Sequence, residues 1–257
     1  MDAIYEVRGL TKRYGRTAAL NGVDFAVTPG KLVGLLGPNG SGKTTLLRML
    51  ALLSRPTRGD LSILGVDALE EPDRLRSRIG LISHKSMLYG DLTARENLRF
   101  FASLYGDDGG RGGRADTASV DARIDELLRL VELDHRCNDC VRTFSRGMQQ
   151  RLSIARALVN DPAIILADEP TGNLDSTTGR MVLDTFHALR QQGKTIVLIT
   201  HGADIAAEAD RRITIRDGRL YRDARSAPVV CRPSEAFGCP PTVEGCSPVK
   251  TREGGAR

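Results

Sequence analysis

Residues Gly37-Pro38-Asn39-Gly40-Ser41-Gly42-Lys43-Thr44-Thr45 fit the pattern G-x-x-x-x-G-K-[ST]. They follow the apolar run Leu32–Leu36, and a helix is expected to begin near Gly42. No other feature restricts the fold as much, because the pattern works only on a loop joining a buried strand to a helix N-terminus. Glycines let the backbone wrap so that several N–H groups face one centre. The helix start adds partial positive charge. Lys43 can then reach the β- and γ-phosphates of a nucleotide, and the Thr44 hydroxyl can ligate Mg²⁺.

A second stretch supplies the acidic half of such a site. Ile164-Ile165-Leu166-Ala167 reads as a buried strand that delivers Asp168 and Glu169 to its end. Asp168 there can hold Mg²⁺ through water, and Glu169 can accept a proton from an attacking water. On the residues alone, the two stretches together imply nucleotide hydrolysis.

The remaining pattern places these stretches in an α/β chain. Ile4–Arg8, Val23–Val27 and Leu61–Leu64 alternate apolar and polar residues, as strands of an antiparallel sheet with one wet face do. Leu32–Leu36, Ala163–Ala167 and Thr195–Ile199 are apolar almost throughout, as strands buried on both faces are. A helix over Ser176–Gln192, ended by Gly193, separates the last two and implies a parallel sheet. Thr93-Ala94-Arg95-Glu96 is a capping box opening a helix with Leu98, Phe101, Leu104 and Tyr105 on one face. Val120, Ile124, Leu127, Leu128 and Val131 mark another helix, and Gly106–Gly113 between the two reads as a flexible loop. Arg212–Arg216, Asp217-Gly218 and Leu220-Tyr221 read as a closing hairpin.

Composition removes several classes. No apolar run exceeds five residues, whereas a membrane-spanning helix needs about twenty. Aromatics make up 4% and Trp is absent, which argues against stacking platforms for bases, so no nucleic acid is expected as a partner. The net charge of +5 is interleaved with acids and fits a solvated surface with at most a weak preference for an anionic membrane face. Met1–Glu6 shows no basic or apolar secretion-signal region, and the five cysteines are expected to be reduced thiols. Cys137-Asn138-Asp139-Cys140 has redox or zinc spacing, and Cys231, Cys239 and Cys246 are the residues that would have to complete a metal site. Unpaired thiols are the expectation.

Phe144-Ser145-Arg146-Gly147-Met148-Gln149-Gln150-Arg151 resembles the signature segment of ATP-binding cassette (ABC) proteins. Ser145 and Gly147 match the family's Leu-Ser-Gly-Gly-Gln form; Phe144, Arg146 and Met148 depart from it. The resemblance covers roughly residues 4–223 and assigns further roles. Tyr14 matches the adenine-stacking aromatic, Asp175 the acidic position of the loop that communicates across a dimer, and His201 the switch histidine at the γ-phosphate. Where the family usually has a Mg²⁺-contacting Gln, His84 stands.

The resemblance implies a P-loop NTPase core with a mainly parallel sheet, an N-terminal antiparallel β subdomain and an inserted α-helical subdomain at about residues 84–160. Residues 1–223 form the cassette, and 224–257, rich in proline and cysteine, are expected to be a disordered tail. It further implies ATP and Mg²⁺ as ligands. The partners would be a second copy, head to tail, and an integral membrane permease. The location would be cytoplasmic, on the inner face of the cell membrane. Ile82–Lys85, Tyr89–Phe100 and Phe144–Arg151 look like the haem exporter ATPase of cytochrome c maturation, whereas Ala167–Asp175 looks like lipoprotein-releasing and macrolide-export ATPases. Soluble cassette ATPases acting on DNA or ribosomes usually carry two cassettes or a long coiled coil; one motif set and no long heptad run disfavour that class. A P-loop kinase or GTPase gives no reason for Ser145–Arg151 and Thr200-His201 together.

Overall fold

The computed structural model describes residues 3–83, 86–104, 117–172 and 174–225. His84, Tyr105, the Gly106–Gly113 loop, Asn173 and the expected tail from Ser226 lie outside the described residues.

In chain order the strands are β1 (Tyr5–Tyr14), β2 (Thr17–Val27), β3 (Leu32–Leu36), β4 (Arg58–Ile63), β5 (Val66–Asp67), β6 (Ile79–Ile82), β7 (Ile164–Asp168), β8 (Thr195–Ile199), β9 (Arg211–Arg216) and β10 (Arg219–Arg225). The helices are α1 (Lys43–Leu50), α2 (Pro72–Arg76), α3 (Ala94–Ser103), α4 (Thr117–Leu130), α5 (Arg146–Leu158), α6 (Ser176–Gln191) and α7 (Ala203–Ala207). Short 3-10 turns cover Asp134–Arg136 and Val141–Thr143.

Two sheets form. The first is antiparallel, in the order β2-β1-β4-β5. The second runs β10-β9-β3-β8-β7-β6; every pair in it is parallel except the edge hairpin β9–β10. The alternation in the N-terminal segment is therefore read correctly as antiparallel, and the continuous apolar runs as central parallel strands. β1 extends well past Arg8, because a β1–β2 hairpin registers Tyr14 opposite Thr17. β10 continues through Ala224 and Arg225, opposite Arg212 and Arg211, two residues beyond the start read for the tail.

The apolar strands face two cores. Val33, Leu35, Ile164, Leu166, Val197 and Ile199 point toward α1 and the antiparallel sheet. Their neighbours Leu32, Ile165, Ala167, Ile196 and Leu198 point toward α3, α4, α5 and α6. Each strand thus removes both faces from water, at about 25 cal/mol per Å² of apolar surface, and polar residues survive only at its ends. That confines chemistry to the ends.

Candidate active site

β3, β6, β7 and β8 run the same way, so their C-terminal ends lie along one edge of the sheet. Register fixes the level: Leu35 pairs with Ile199, and Ile199 with Asp168. Just beyond this level the chains leave as Gly37, Glu169 and Thr200-His201. Ser83 follows β6 at the same edge, next to Ile82 opposite Ala167. An open parallel sheet holds ligands at such an edge.

The glycine loop is shaped by close backbone approach. A Cβ on Gly37 (φ 144°) would lie 2.1 Å from the Ile215 carbonyl oxygen, and one on Gly42 (φ 105°) 2.5 Å from that of Ala19. The loop is therefore wedged between β2 and β9. The Gly218 N–H, from the β9–β10 turn, donates to the Ser41 carbonyl at 3.0 Å. Within the loop, the buried Lys43 ammonium donates to the carbonyls of Gly37 and Pro38, both at 2.8 Å. Burial pushes the lysine below its ordinary value of 10.5, and the Glu169 and Asp168 carboxylates partly offset this.

The structure places Lys43 in the field of both acids, although they lie more than 120 residues away in sequence. Glu169 turns the chain with φ 50°, an uncommon backbone for a non-glycine residue, while its N–H extends the ladder to the Ile199 carbonyl at 3.1 Å. Its Oε1 lies 2.9 Å from Nε2 of His201. Lys43, Asp168, Glu169 and His201 are thus brought to one place.

An anion fits this place. The N-cap of α1 is Gly42, with no side-chain cap, whereas Thr93, Ser145 and Asp175 cap α3, α5 and α6 through their side chains. The first N–H groups of α1 are left without a side-chain acceptor. Ser41 Oγ, beside Gly37, is buried with no hydrogen-bond partner among the described residues. Both observations suit a phosphate group. Thr44, exposed on the first turn of α1, and Asp168 at the end of β7 offer hard oxygen ligands. Mg²⁺ takes one or two such protein oxygens beside phosphate and water.

The other expected residues stand elsewhere: Tyr14 on β1, Ser145 and Gly147 at the start of α5, and Asp175 at the N-cap of α6. Tyr14 ends β1 with 53% of its surface exposed, its ring 5.3 Å from the Lys12 ammonium. It stands at the tip of the hairpin whose β2 residue Ala19 touches Gly42. Ser145 Oγ accepts the Met148 N–H at 3.2 Å. Gly147 packs against Thr178, whose methyl would lie 3.2 Å from an added Cβ. Thr178 in turn donates its N–H and hydroxyl to Asp175 at 2.9 and 2.8 Å. Ser145, Gly147 and Asp175 therefore form one assembly, joined by a threonine that the sequence reading did not single out. Ile215 and Gly218, which grip the glycine loop, were likewise missed; only the Asp217-Gly218 turn was a signal.

Comparison with known proteins supplies independent evidence. A family model described as ABC transporter matches residues 20–172. The lipoprotein-releasing system ATP-binding protein LolD 1 of Caulobacter vibrioides is 40% identical over 235 residues, covering 88% of this chain and 97% of its own. The Nod factor export ATP-binding protein I of Cupriavidus pinatubonensis is 37% identical over 218 residues, covering 85% of this chain; the match spans 65% of that relative's length. The dimeric post-hydrolysis structure of the ATP-binding cassette MJ0796, bound to ADP and phosphate, superimposes with a TM-score of 0.78 at 32% identity, covering 88% of this chain and all of that one.

Proposed function

The chain belongs to the ABC transporter family, a family of ATPases with this cassette fold, and from that premise we propose that it is the ATP-hydrolysing subunit of a membrane exporter. The observation that carries the proposal is the convergence of Lys43, Asp168, Glu169 and His201 at one sheet edge.

Gly37–Thr45 hold the triphosphate, with backbone N–H groups and the α1 N-terminus facing it and Tyr14 taking the adenine. Thr44 and Asp168 would hold Mg²⁺, and the ion would neutralise charge developing on the phosphates. Glu169 accepts the proton of the attacking water. His201 orients that carboxylate from 2.9 Å and reaches the γ-phosphate. Ser145 and Gly147 face the nucleotide of a second copy, and Asp175 communicates between copies. His84 is the remaining candidate contact to Mg²⁺. Residues of about 84–160 form the arm that a permease moves. Among the described residues, no helix is long and apolar enough to cross a membrane. We place the chain on the inner face of the cell membrane through that permease.

For the cargo, the relatives named for Nod factor export and lipoprotein release support export. Haem export is the finer reading of Ile82–Lys85, Tyr89–Phe100 and Phe144–Arg151. Lipoprotein release is favoured by Ala167–Asp175 and by the near full-length match to its relative. The membrane protein that co-purifies in detergent separates the two.

Glu169→Gln tests the mechanism. It should lower ATP turnover at least about a hundredfold, the low end for a lost general base. It should also convert the chain to an ATP-bound dimer on size exclusion. Wild-type turnover in this variant, or a monomer at saturating ATP, would sink the assignment.

A further inference from the structure

The CxxC turn is not used by the ATP site, yet it is built into the arm that carries the exposed aromatic face. Cys137 and Cys140 are free thiols, and both are partly exposed. An Arg136–Asp139 ion pair braces the turn between them. Arg95 of α3, ion-paired with Asp125, reaches the same turn through its backbone.

The backbone of the same turn has a second job. A capping box satisfies only part of a helix N-terminus. In α3 the Ala94 and Arg95 N–H groups donate instead to the carbonyls of Asp139 and Cys137, at 3.2 and 3.0 Å. Cys140 pairs with Thr93 in an isolated bridge, and its Sγ lies 3.8 Å from the Asp91 carbonyl. A change in the shape of Cys137–Cys140 is therefore felt directly at the start of α3. That helix carries Phe100, which meets the exposed Tyr89 edge to face, and Phe101, tilted against it.

We propose that Cys137 and Cys140 form a thiol–disulfide exchange site for low-molecular-weight disulfides, and that its oxidation loosens the first turn of α3. Cys137 thiolate attacks one sulfur of glutathione disulfide, the S–S bond breaks, and glutathione thiolate leaves and takes up a proton. Cys140 thiolate then attacks the Cys137 sulfur and releases the second glutathione. The two protein thiols lose two electrons, and one glutathione disulfide becomes two glutathione molecules.

The test uses the full chain with Cys231, Cys239 and Cys246 replaced by Ser. It is equilibrated with glutathione disulfide, quenched by alkylation and read by peptide mass. An intramolecular Cys137–Cys140 disulfide is expected, reversed by dithiothreitol. Hydrogen exchange at the Ala94 and Arg95 amides should quicken by about tenfold on oxidation, as first-turn protection is lost. In Cys140→Ser, Cys137 should stop at the mixed glutathione disulfide. The proposal is overturned by a pair that stays reduced in excess glutathione disulfide, by mixed disulfides that persist on both cysteines of the unsubstituted pair, or by unchanged exchange at Ala94 and Arg95 once the disulfide has formed.

Discussion

Gly42 shows how much one missing side chain decides. Its φ of 105° disfavours every L side chain, and an added Cβ would meet the Ala19 carbonyl oxygen at 2.5 Å and Leu20 Cδ2 at 2.8 Å. The oxygen is backbone inside a strand and cannot step aside cheaply. Gly40 has a positive φ too, 77°, but open space around it. Gly40→Ala should cost only the backbone term, about 1 kcal/mol. Gly42→Ala should cost about 2–4 kcal/mol, since clash adds to strain. Urea unfolding of the two variants measures the difference; equal midpoints would mean that the wedge between β2 and the loop is not what fixes the loop. The need for Gly42 was legible as a pattern, but its reason was not, because Ala19 lies on another strand that no local spacing connects to the loop.

Elements announced themselves in proportion to their regularity. β3 and β8 fall on the residues the apolar runs marked, and α3 opens on the Thr93 box, with Thr93 Oγ1 accepting the Glu96 N–H and the Glu96 carboxylate accepting the Thr93 N–H. α2 and α7, five residues each, and the two-residue β5 are too short to show a period and were not foreseen. The N-cap of α6 carries a pH-dependent expectation. The Asp175 carboxylate lies below the usual aspartate range, because the Thr178 N–H and hydroxyl donate to its charged form. A depressed carboxylate stabilises the fold above the pKa of the unfolded chain, and that contribution fades as pH falls through the folded value. Asp175→Asn keeps a capping oxygen without the charge. Its unfolding midpoint should therefore lie below wild type at neutral pH, and the gap should narrow as the pH falls below the ordinary aspartate range toward the depressed folded value. A gap that stays constant from neutral to acid would show that the charge of Asp175 adds nothing to the cap.

At the scale of the whole molecule, the nucleotide loop is a junction of segments from both ends of the chain. β2 presses on it from one side, and β9 with the Gly218 turn holds it from the other. That Asp168, Glu169 and His201 share one edge of the sheet was readable, because each follows an apolar run. The grip was not, since it consists of backbone contacts between residues more than 170 positions apart. Under the proposed function, this arrangement makes nucleotide affinity depend on the Gly218 turn. An added Cβ at Gly218 would meet the Ala19 carbonyl oxygen at 2.9 Å, from a φ of 71°. Relief requires the turn to shift, which lengthens the Gly218–Ser41 hydrogen bond and loosens the loop. Loss of one such anchor should weaken ADP binding about tenfold, the equivalent of about 1.4 kcal/mol. Linkage turns that into a thermal measurement. ADP at one hundred times the wild-type Kd stabilises the wild type by about 2.7 kcal/mol, whereas at the same concentration Gly218→Ala, at ten times its own Kd, gains only about 1.4 kcal/mol. Lys43→Ala, with the ammonium gone, should gain less than either. If Gly218→Ala gained as much from ADP as the wild type does, the hairpin would be a lid on the sheet edge and no part of what shapes the phosphate cradle.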